Sequence, residues 1–223
     1  MSGMMPPSSI PPASMGFPLS PPAPIVVELF IDLICPFSMK MFTCLYDNDI
    51  FKAFEGKVSF VMQNVPQPWH PQGVYVHEVA LAIKVHQPEV YAKCVRALYA
   101  AFDFGKGKFT DADTYDKSRS QVYADLLDVV AEAGADKALI GEKVKLNTLQ
   151  TPGGPVQATT SCTQDIKWAC KFHRKHGVHV TPTVYVNGLE AGIVSSGWTA
   201  DQWKAFLEPL GADNFNGSKL TPA

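Results

Sequence analysis

The segment "DLICPFS" (residues 32–38) contains the residues whose types and spacing best suit chemistry. An apolar run reaches Cys35, and Pro36, Phe37 and Ser38 follow before apolar residues recur at helical spacing. The thiolate, and not the thiol, is the nucleophile that attacks a disulfide. Open N–H groups and the positive end of the helix dipole lower the pKa of a cysteine at a helix N-terminus. The pattern therefore predicts a reactive Cys35 and not an inert buried cysteine.

Two carboxylates precede this cysteine. Glu28 lies within the apolar run, and a buried carboxylate near a thiol can relay a proton through water; a hydrogen-bonded or edge-exposed acid fits the pattern equally well. Asp32 comes three residues before Cys35, where its charge would oppose a thiolate. We expect Asp32 to have a structural role.

The elements that must position these residues begin with a strand–helix–strand unit. "IVVELFI" (Ile25–Ile31) is short, β-branched and almost wholly apolar, which predicts a strand covered on both faces. Pro36 suits the first turn of a helix that runs to about Phe54. A second strand is predicted over Lys57–Val65, and a βαβ unit of this kind is right-handed.

From residue 73 to about 158 the apolar period becomes that of helices. Four amphipathic helices are predicted there, the last from Asp136 to about Leu149 and closed by "TPGGP". This block is read as a helical insertion.

The end of the chain returns to strands. A further helix is predicted from about Thr163 to His176, followed by two β-rich runs joined at "NG" (residues 187–188), a strong hairpin signal. Thr199 is expected to cap a last helix.

This order resembles the thioredoxin fold, an α/β fold of the type βαβ–αββα, here with a helical insertion between the halves. The Cys35-Pro36 joint and Thr181-Pro182 before the third strand carry the resemblance, from about Ile25 to Leu210. The insertion is similar to that of the DsbA-like branch, which includes kappa-class glutathione transferases and hydroxychromene-carboxylate isomerases. The implied organisation is a proline-rich tail (1–24), a thioredoxin-like domain (25–72 and 159–210), the insertion (73–158) and a C-terminal tail (211–223).

The resemblance also assigns roles. Cys35 and Ser38 are the expected catalytic residues, and Pro36, Phe37, Thr181 and Pro182 are expected to bind substrate, with Thr181-Pro182 as a cis-proline loop whose backbone pairs with an extended chain. Family members with cysteine at position 38 close an internal disulfide, which serine cannot do. The serine hydroxyl can still donate a hydrogen bond to the Cys35 sulfur.

Two departures limit the resemblance. Phe37 replaces the histidine of the strongly oxidising DsbA enzymes, so Cys35 should be less acidic than theirs. The kappa transferases and chromene isomerases carry serine where this chain has Cys35. Simple membership of either group is therefore not expected.

Other candidates are weaker. Trp69 and His70 in "QPWHPQG" either line a groove over Cys35 or close a loop, and the second is preferred. The histidines of "HRKHGVH" (residues 173–179) come without cysteine pairs at ligand spacing, so no metal is predicted. Cys44 would lie about 13 Å along the same helix, beyond the roughly 7 Å between Cα atoms that a disulfide allows.

Bulk properties bound the function. The chain has 223 residues and a net charge of -2, without a basic stripe for nucleic acid or an apolar run of membrane-spanning length. Residues 1–24 contain eight prolines and no charge, which is untypical of a signal peptide and favours a tail or strap over an SH3-type ligand. Five dispersed cysteines suit a reducing compartment, so a cytoplasmic location is predicted.

Three functions fit these features. The leading one is a monothiol thiol–disulfide oxidoreductase or isomerase, acting on a disulfide-containing protein or on glutathione, with no bound cofactor. The second is a glutathione-dependent transferase or isomerase of kappa-like type. The third is a non-catalytic thioredoxin-fold binding module. No oligomeric state is predicted.

Overall fold

The computed structural model describes residues 15–150 and 156–210, whose centre is a five-stranded sheet. The strands, in chain order, are β1 (Phe17–Pro18), β2 (Ile25–Ile31), β3 (Val58–Asn64), β4 (Asn147–Gln150), β5 (Val156–Thr159), β6 (Thr183–Val186) and β7 (Leu189–Glu190). The central sheet has the order β1-β3-β2-β6-β7, while β4 and β5 pair separately. Strand β2 runs parallel to β3 and antiparallel to β6. The predicted βαβ–αββα order and thioredoxin fold are confirmed.

Strand β2 is the middle of this sheet, as its apolar sequence predicts. Val27, Leu29 and Ile31 are fully buried in the main core. Phe30 points to the other face, where it packs in a smaller cluster with Tyr185. A strand buried on both faces needs an almost continuous apolar run.

Helices cover the sheet and form the block between β3 and α8. They are α1 (Pro36–Asp47), α2 (Ile50–Ala53), α3 (Gly73–His86), α4 (Tyr91–Phe102), α5 (Asp111–Thr114), α6 (Arg119–Glu132), α7 (Lys137–Val144), α8 (Thr163–Lys175) and α9 (Ala200–Leu207), with 3-10 turns at Pro88–Val90 and Asp103–Gly105. Helices α3 to α7 lie within residues 73–158, and their apolar faces join the same core as the sheet. The division into domains at those boundaries stays a prediction.

One predicted helix is partly wrong. The helix expected to reach Leu149 ends at Val144, and β4 pairs antiparallel with β5. A four-residue strand has too few positions to show a period of two, so this pairing left no clear sequence signal.

The described part of the proline-rich segment forms a strap along the edge of the sheet. Phe17 and Pro18 pair with Met62 and Val61 at the edge of β3, and the Leu19 N–H donates to the Phe60 carbonyl oxygen. Proline is tolerated at a sheet edge because its missing N–H faces away from the ladder. Residues 1–14 and the predicted C-terminal tail lie outside the described residues.

Candidate active site

Cys35 lies at the joint between β2 and α1. It is the N-cap residue of α1, in extended conformation, and Pro36 takes the first helical position. Proline there starts the helix without removing a needed hydrogen bond, since the first N–H groups of a helix have no internal partner. The cysteine is 6% exposed, so only a small part of its side chain reaches solvent.

The Cys35 thiol contacts the loop that precedes β6. Its Sγ donates a hydrogen bond to the carbonyl oxygen of Thr181 over 3.4 Å. The peptide bond between Thr181 and Pro182 is cis, and both residues are half-buried. A carbonyl oxygen attracts a thiol but repels a thiolate, so this contact is made by the protonated form and must break when the proton leaves.

Asp32 organises the turn that leads to Cys35. Its carboxylate is fully buried, and its Oδ1 and Oδ2 accept hydrogen bonds from the Ile34 and Gln67 N–H groups at 3.3 and 3.1 Å. Its backbone carbonyl accepts from the Cys35 N–H and from the Tyr99 hydroxyl. The expected structural role of Asp32 agrees with these contacts.

Two histidines also bind this carboxylate. His70 Nδ1 lies 2.7 Å from Asp32 Oδ2, and His77 Nε2 lies 3.1 Å from Oδ1. His77 is fully buried, and its Nδ1 is 2.9 Å from the amide nitrogen of Asn64. The Leu33 N–H also points to His77 Nε2 at 3.3 Å, so this nitrogen lies between a backbone donor and the Asp32 carboxylate.

The contacts in this group shift the pKa values of Asp32 and His70. Burial is the largest single influence and raises the pKa of Asp32, but the hydrogen bonds and the charge interactions with His70 and His77 together outweigh it and lower the pKa to about 2. The hydrogen bond to Asp32 raises the pKa of His70. The Asp32 charge is therefore compensated, and the opposition to a Cys35 thiolate expected from its spacing is reduced.

Ser38 and Phe37 lie on opposite sides of the first turn of α1. The Ser38 side chain is fully buried, and its Oγ accepts from the Asp32 backbone N–H at 3.3 Å. Among the described residues it makes no hydrogen bond to the Cys35 sulfur, whose S–H donates to Thr181. Phe37 is 56% exposed beside the cysteine.

The remaining predicted residues separate into two groups. Trp69 is 57% exposed, and its ring lies edge-on to that of His70, which joins the Asp32 cluster. Glu28 instead accepts from the Gln63 amide at 2.9 Å within the sheet, and no contact joins it to Cys35 among the described residues. Of the two readings left open for Glu28, the hydrogen-bonded acid describes its position.

A cleft of about 350 Å³ opens between the start of α1 and the insertion. Ile34, Pro36 and His70 form one wall, and Gly105 and Thr110 lie on the insertion side. A ligand on Cys35 would therefore be close to both parts of the chain.

Sequence reasoning missed several of these contacts. His77 and Tyr99 gave no local signal, since each meets Asp32 from a distant part of the chain, His77 from 45 residues away. The signal that did exist was "QPWHPQG", in which a histidine follows a buried strand at the edge where Cys35 also lies.

The other four cysteines lie away from this arrangement. All are free thiols, and burial raises the pKa of Cys44, Cys94, Cys162 and Cys170. Within residues 15–150 and 156–210, no three His, Cys, Asp or Glu side chains are grouped so that they could hold a metal ion.

Comparison with known proteins gives the family. A family model described as Thioredoxin (Thioredoxin_4) matches residues 20–209, and no curated protein sequence matches the chain. A candidate protein-disulfide isomerase from Pseudomonas syringae is 22% identical, with a TM-score of 0.64 over 85% of this chain and 94% of that chain. BdbD from Bacillus subtilis is 21% identical, with a TM-score of 0.61 over 90% of this chain and 95% of that chain.

A third similar structure bears on location. A periplasmic thioredoxin-like protein from Salmonella enterica serovar Typhimurium is 16% identical, with a TM-score of 0.58 over 87% of this chain and 89% of that chain. The predicted cytoplasmic location is wrong on this comparison. The number and spacing of the cysteines therefore did not identify the compartment. The chain belongs to the thioredoxin family and has the DsbA-like form of its fold.

Proposed function

We propose that the protein is a thiol–disulfide oxidoreductase or isomerase in which Cys35 is the single nucleophile. The observation that carries the proposal is the position of the Cys35 thiol at the N-cap of α1, 3.4 Å from the Thr181 carbonyl oxygen. Nucleophilic cysteines occur at helix starts, and the Thr181 loop offers a backbone edge beside this one. The similar Pseudomonas syringae structure is named for the same chemistry.

The reaction would proceed through a mixed disulfide. After Cys35 loses its proton and its contact with Thr181, the thiolate attacks one sulfur of a substrate disulfide. A bond forms between Cys35 and that sulfur, and the other substrate sulfur leaves as a thiolate that takes up a proton. An external thiolate, with glutathione as the proposed co-substrate, then attacks the substrate sulfur and releases the Cys35 thiolate. The second half is external because Ser38 supplies no resolving thiol.

The surface around Cys35 fits a protein substrate. Phe37, two residues after Cys35, and Val180, one residue before Thr181, are 56% and 62% exposed, and Trp69 beside His70 is 57% exposed. Exposed apolar groups that lie together mark surfaces for binding apolar chain. The proposed substrate is therefore an unfolded or extended chain that contains a disulfide.

None of the described helices is long and apolar enough to span a membrane.

The test is to locate the cysteine that reacts. The protein is incubated with oxidised glutathione, and the adduct is measured by intact mass and peptide mapping. We expect one glutathione on Cys35, loss of this adduct and of disulfide isomerase activity in Cys35→Ala, and neither loss in Cys44→Ala. Cys44 is a suitable control because it lies on the same helix and is half-exposed.

Other outcomes would contradict the proposal. Modification of other cysteines at an equal rate would remove the special role of Cys35. Full substrate binding with no exchange activity in parent and Cys35→Ala alike would favour the binding module.

A further inference from the structure

A second cleft, of about 450 Å³, lies next to the first, and His70 lines both. It is formed by the loop after β3, the last turns of α8 and the segment that follows α8. Its polar lining is His70, His173, Arg174 and His179 together with Gln67 and Cys170, and no acidic side chain is among the described residues that line it. Its volume is in the range of sites for small ligands.

His173 is the feature that points to a ligand. The residue is 7% exposed, and neither of its ring nitrogens has a hydrogen-bond partner among the described residues. Burial lowers the pKa of His173. The Val178 backbone opposes this fall, but its geometry is not that of a hydrogen bond to either ring nitrogen. A buried polar group without a partner is costly and uncommon. Both nitrogens have almost no accessible surface, so a bound molecule in the cleft would supply the missing partner once the His173 ring turns toward it.

The cations of this cleft are not needed to cap α8. Basic side chains often stabilise the free carbonyls of a helix C-terminus. Here the carbonyl oxygens of His173 and Arg174 accept from the backbone N–H groups of Val178 and Gly177 at 3.0 and 3.1 Å. Since the backbone already satisfies these carbonyls, the Arg174 guanidinium at the cleft is free for another acceptor.

Both walls of the cleft lead to the nucleophile. On one wall His70 bonds to Asp32, whose carbonyl oxygen accepts from the Cys35 N–H. On the other wall the carbonyl oxygen of His179 accepts from the Gln67 amide, two residues before the Thr181 that contacts Cys35. Cys35 itself does not line the cleft, but a small molecule there would contact His70, which bonds to Asp32, and His179, two residues before Thr181.

We propose that this cleft binds the carboxylate of a small anionic thiol, the class of molecule that would release substrate from Cys35. Arg174 would bind the carboxylate, His173 would complete its hydrogen bonds with the ligand, and Trp69 would cover it. The role in catalysis rests on the proposed function, whereas the binding itself does not.

Calorimetry with S-methylglutathione tests the binding, because this probe carries both carboxylates but cannot form a disulfide. We expect a dissociation constant of about 1 mM or tighter, retained in Cys35→Ala. Arg174→Gln should weaken binding about tenfold, the usual effect of losing one charged hydrogen bond. His173→Phe should weaken binding several-fold without lowering the melting temperature, since it removes a buried polar group that has no protein partner. The dimethyl ester of the probe should bind at least about tenfold more weakly.

Lys175→Gln is the matched control, because it removes one positive charge from the same helix end but does not line the cleft. It should leave the affinity unchanged. The inference is overturned if the probe does not bind, if Lys175→Gln and Arg174→Gln act equally, or if the ester binds as well as the acid. If the probe binds but Cys35 proves unreactive, the proposed function fails and the cleft assignment stands.

Discussion

Asp32 shows how a buried carboxylate can lie three residues before Cys35, the proposed nucleophile. Its carboxylate bonds to two histidines and two backbone N–H groups, so its charge is compensated within the loop that it orders. The cysteine itself was predictable because its signals are local: a strand end, a proline and a helix start. His70 was a candidate from its loop, but its bond to Asp32 and the whole role of His77 were not predictable, since these residues come from 38 and 45 residues away.

The pair of Asp32 and His70 predicts a pH dependence of stability. The pKa of His70 is raised in the folded state, so its contribution is full below the unfolded pKa near 6.5 and is lost as pH rises through the folded value. Asp32, with a pKa of about 2, stays charged throughout this range. The stability difference between the parent and His70→Asn should therefore be largest at about pH 5.5 and should shrink by about pH 9. Urea unfolding at each pH measures it, and a difference that does not change with pH would contradict the assignment.

Ser38 gives a second prediction at this scale. In Ser38→Cys, the new thiol would lie at the start of α1 with the spacing of ordinary Cys-x-x-Cys pairs, close enough to bond with Cys35. A neighbouring thiol has a high effective concentration and outcompetes external thiol at millimolar levels. The variant should form an internal 35–38 disulfide under mild oxidant, accumulate less glutathione adduct than the parent, and gain dithiol-coupled reductase activity.

Mass spectrometry of alkylated peptides detects the internal bond, and Ser38→Ala is the control, which should lack it. A Ser38→Cys protein that stays fully glutathionylated would show that the geometry around Cys35 is not that of a thioredoxin-type site. The fully buried position of Ser38 and its bond to the Asp32 N–H make some loss of stability expected in both variants.

At the scale of elements, those with chemical signals at their ends were predictable. Helix α1 begins at a proline, α9 is capped by Thr199 with Gln202, and β6 turns into β7 at Asn187 and Gly188, both with positive φ. The β4–β5 pair was missed because its strands are short and their pairing is decided by contact between segments and not by either sequence alone.

The cleft between α1 and the insertion predicts that a ligand on Cys35 slows amide exchange in both. A glutathione on Cys35 would lie between Ile34 and Pro36 on one side and the segment of Gly105 to Thr110 on the other. Amide exchange should then slow on both sides, because a ligand that bridges the cleft suppresses their local opening. Hydrogen-exchange mass spectrometry of modified and unmodified protein measures this, with Cys35→Ala treated in the same way as the control. Protection confined to the α1 side would mean that the insertion does not take part in binding.

At the scale of the whole molecule, the N-terminal strap joins the sheet to the insertion. Its backbone extends the sheet at β3, and the Phe17 ring lies 4.1 Å from that of Tyr91 in α4. Proline content predicted an extended strap or tail, but composition carries no information on where an extended segment docks. Covering β3 also removes an exposed sheet edge, which would otherwise invite pairing with other chains.

The variant Gly16→Ala tests whether this strap contributes to the free energy of unfolding. It has a φ of +75°, and a Cβ there would lie 2.6 Å from both the Val61 and the Gln63 side chains. Gly16→Ala must therefore either strain the backbone and displace the Val61 and Gln63 side chains or release the strap. We expect a loss of about 2 to 3 kcal/mol in the free energy of unfolding, which combines backbone strain with the steric conflict.

Gly56→Ala separates the two causes. Gly56 has a similar φ of +79°, but nothing lies within 4 Å of a Cβ built there, so this variant carries the backbone strain without the clash. It should lose only about 1 kcal/mol. Urea unfolding gives both values, and limited proteolysis near residues 15–20 shows whether Gly16→Ala releases the strap. Equal losses in the two variants, with no new cleavage, would mean that the contact of Gly16 with β3 does not stabilise the fold. A larger loss at Gly16 with cleavage in the strap would instead make this short edge strand part of the cooperative unit that holds the sheet and the insertion together.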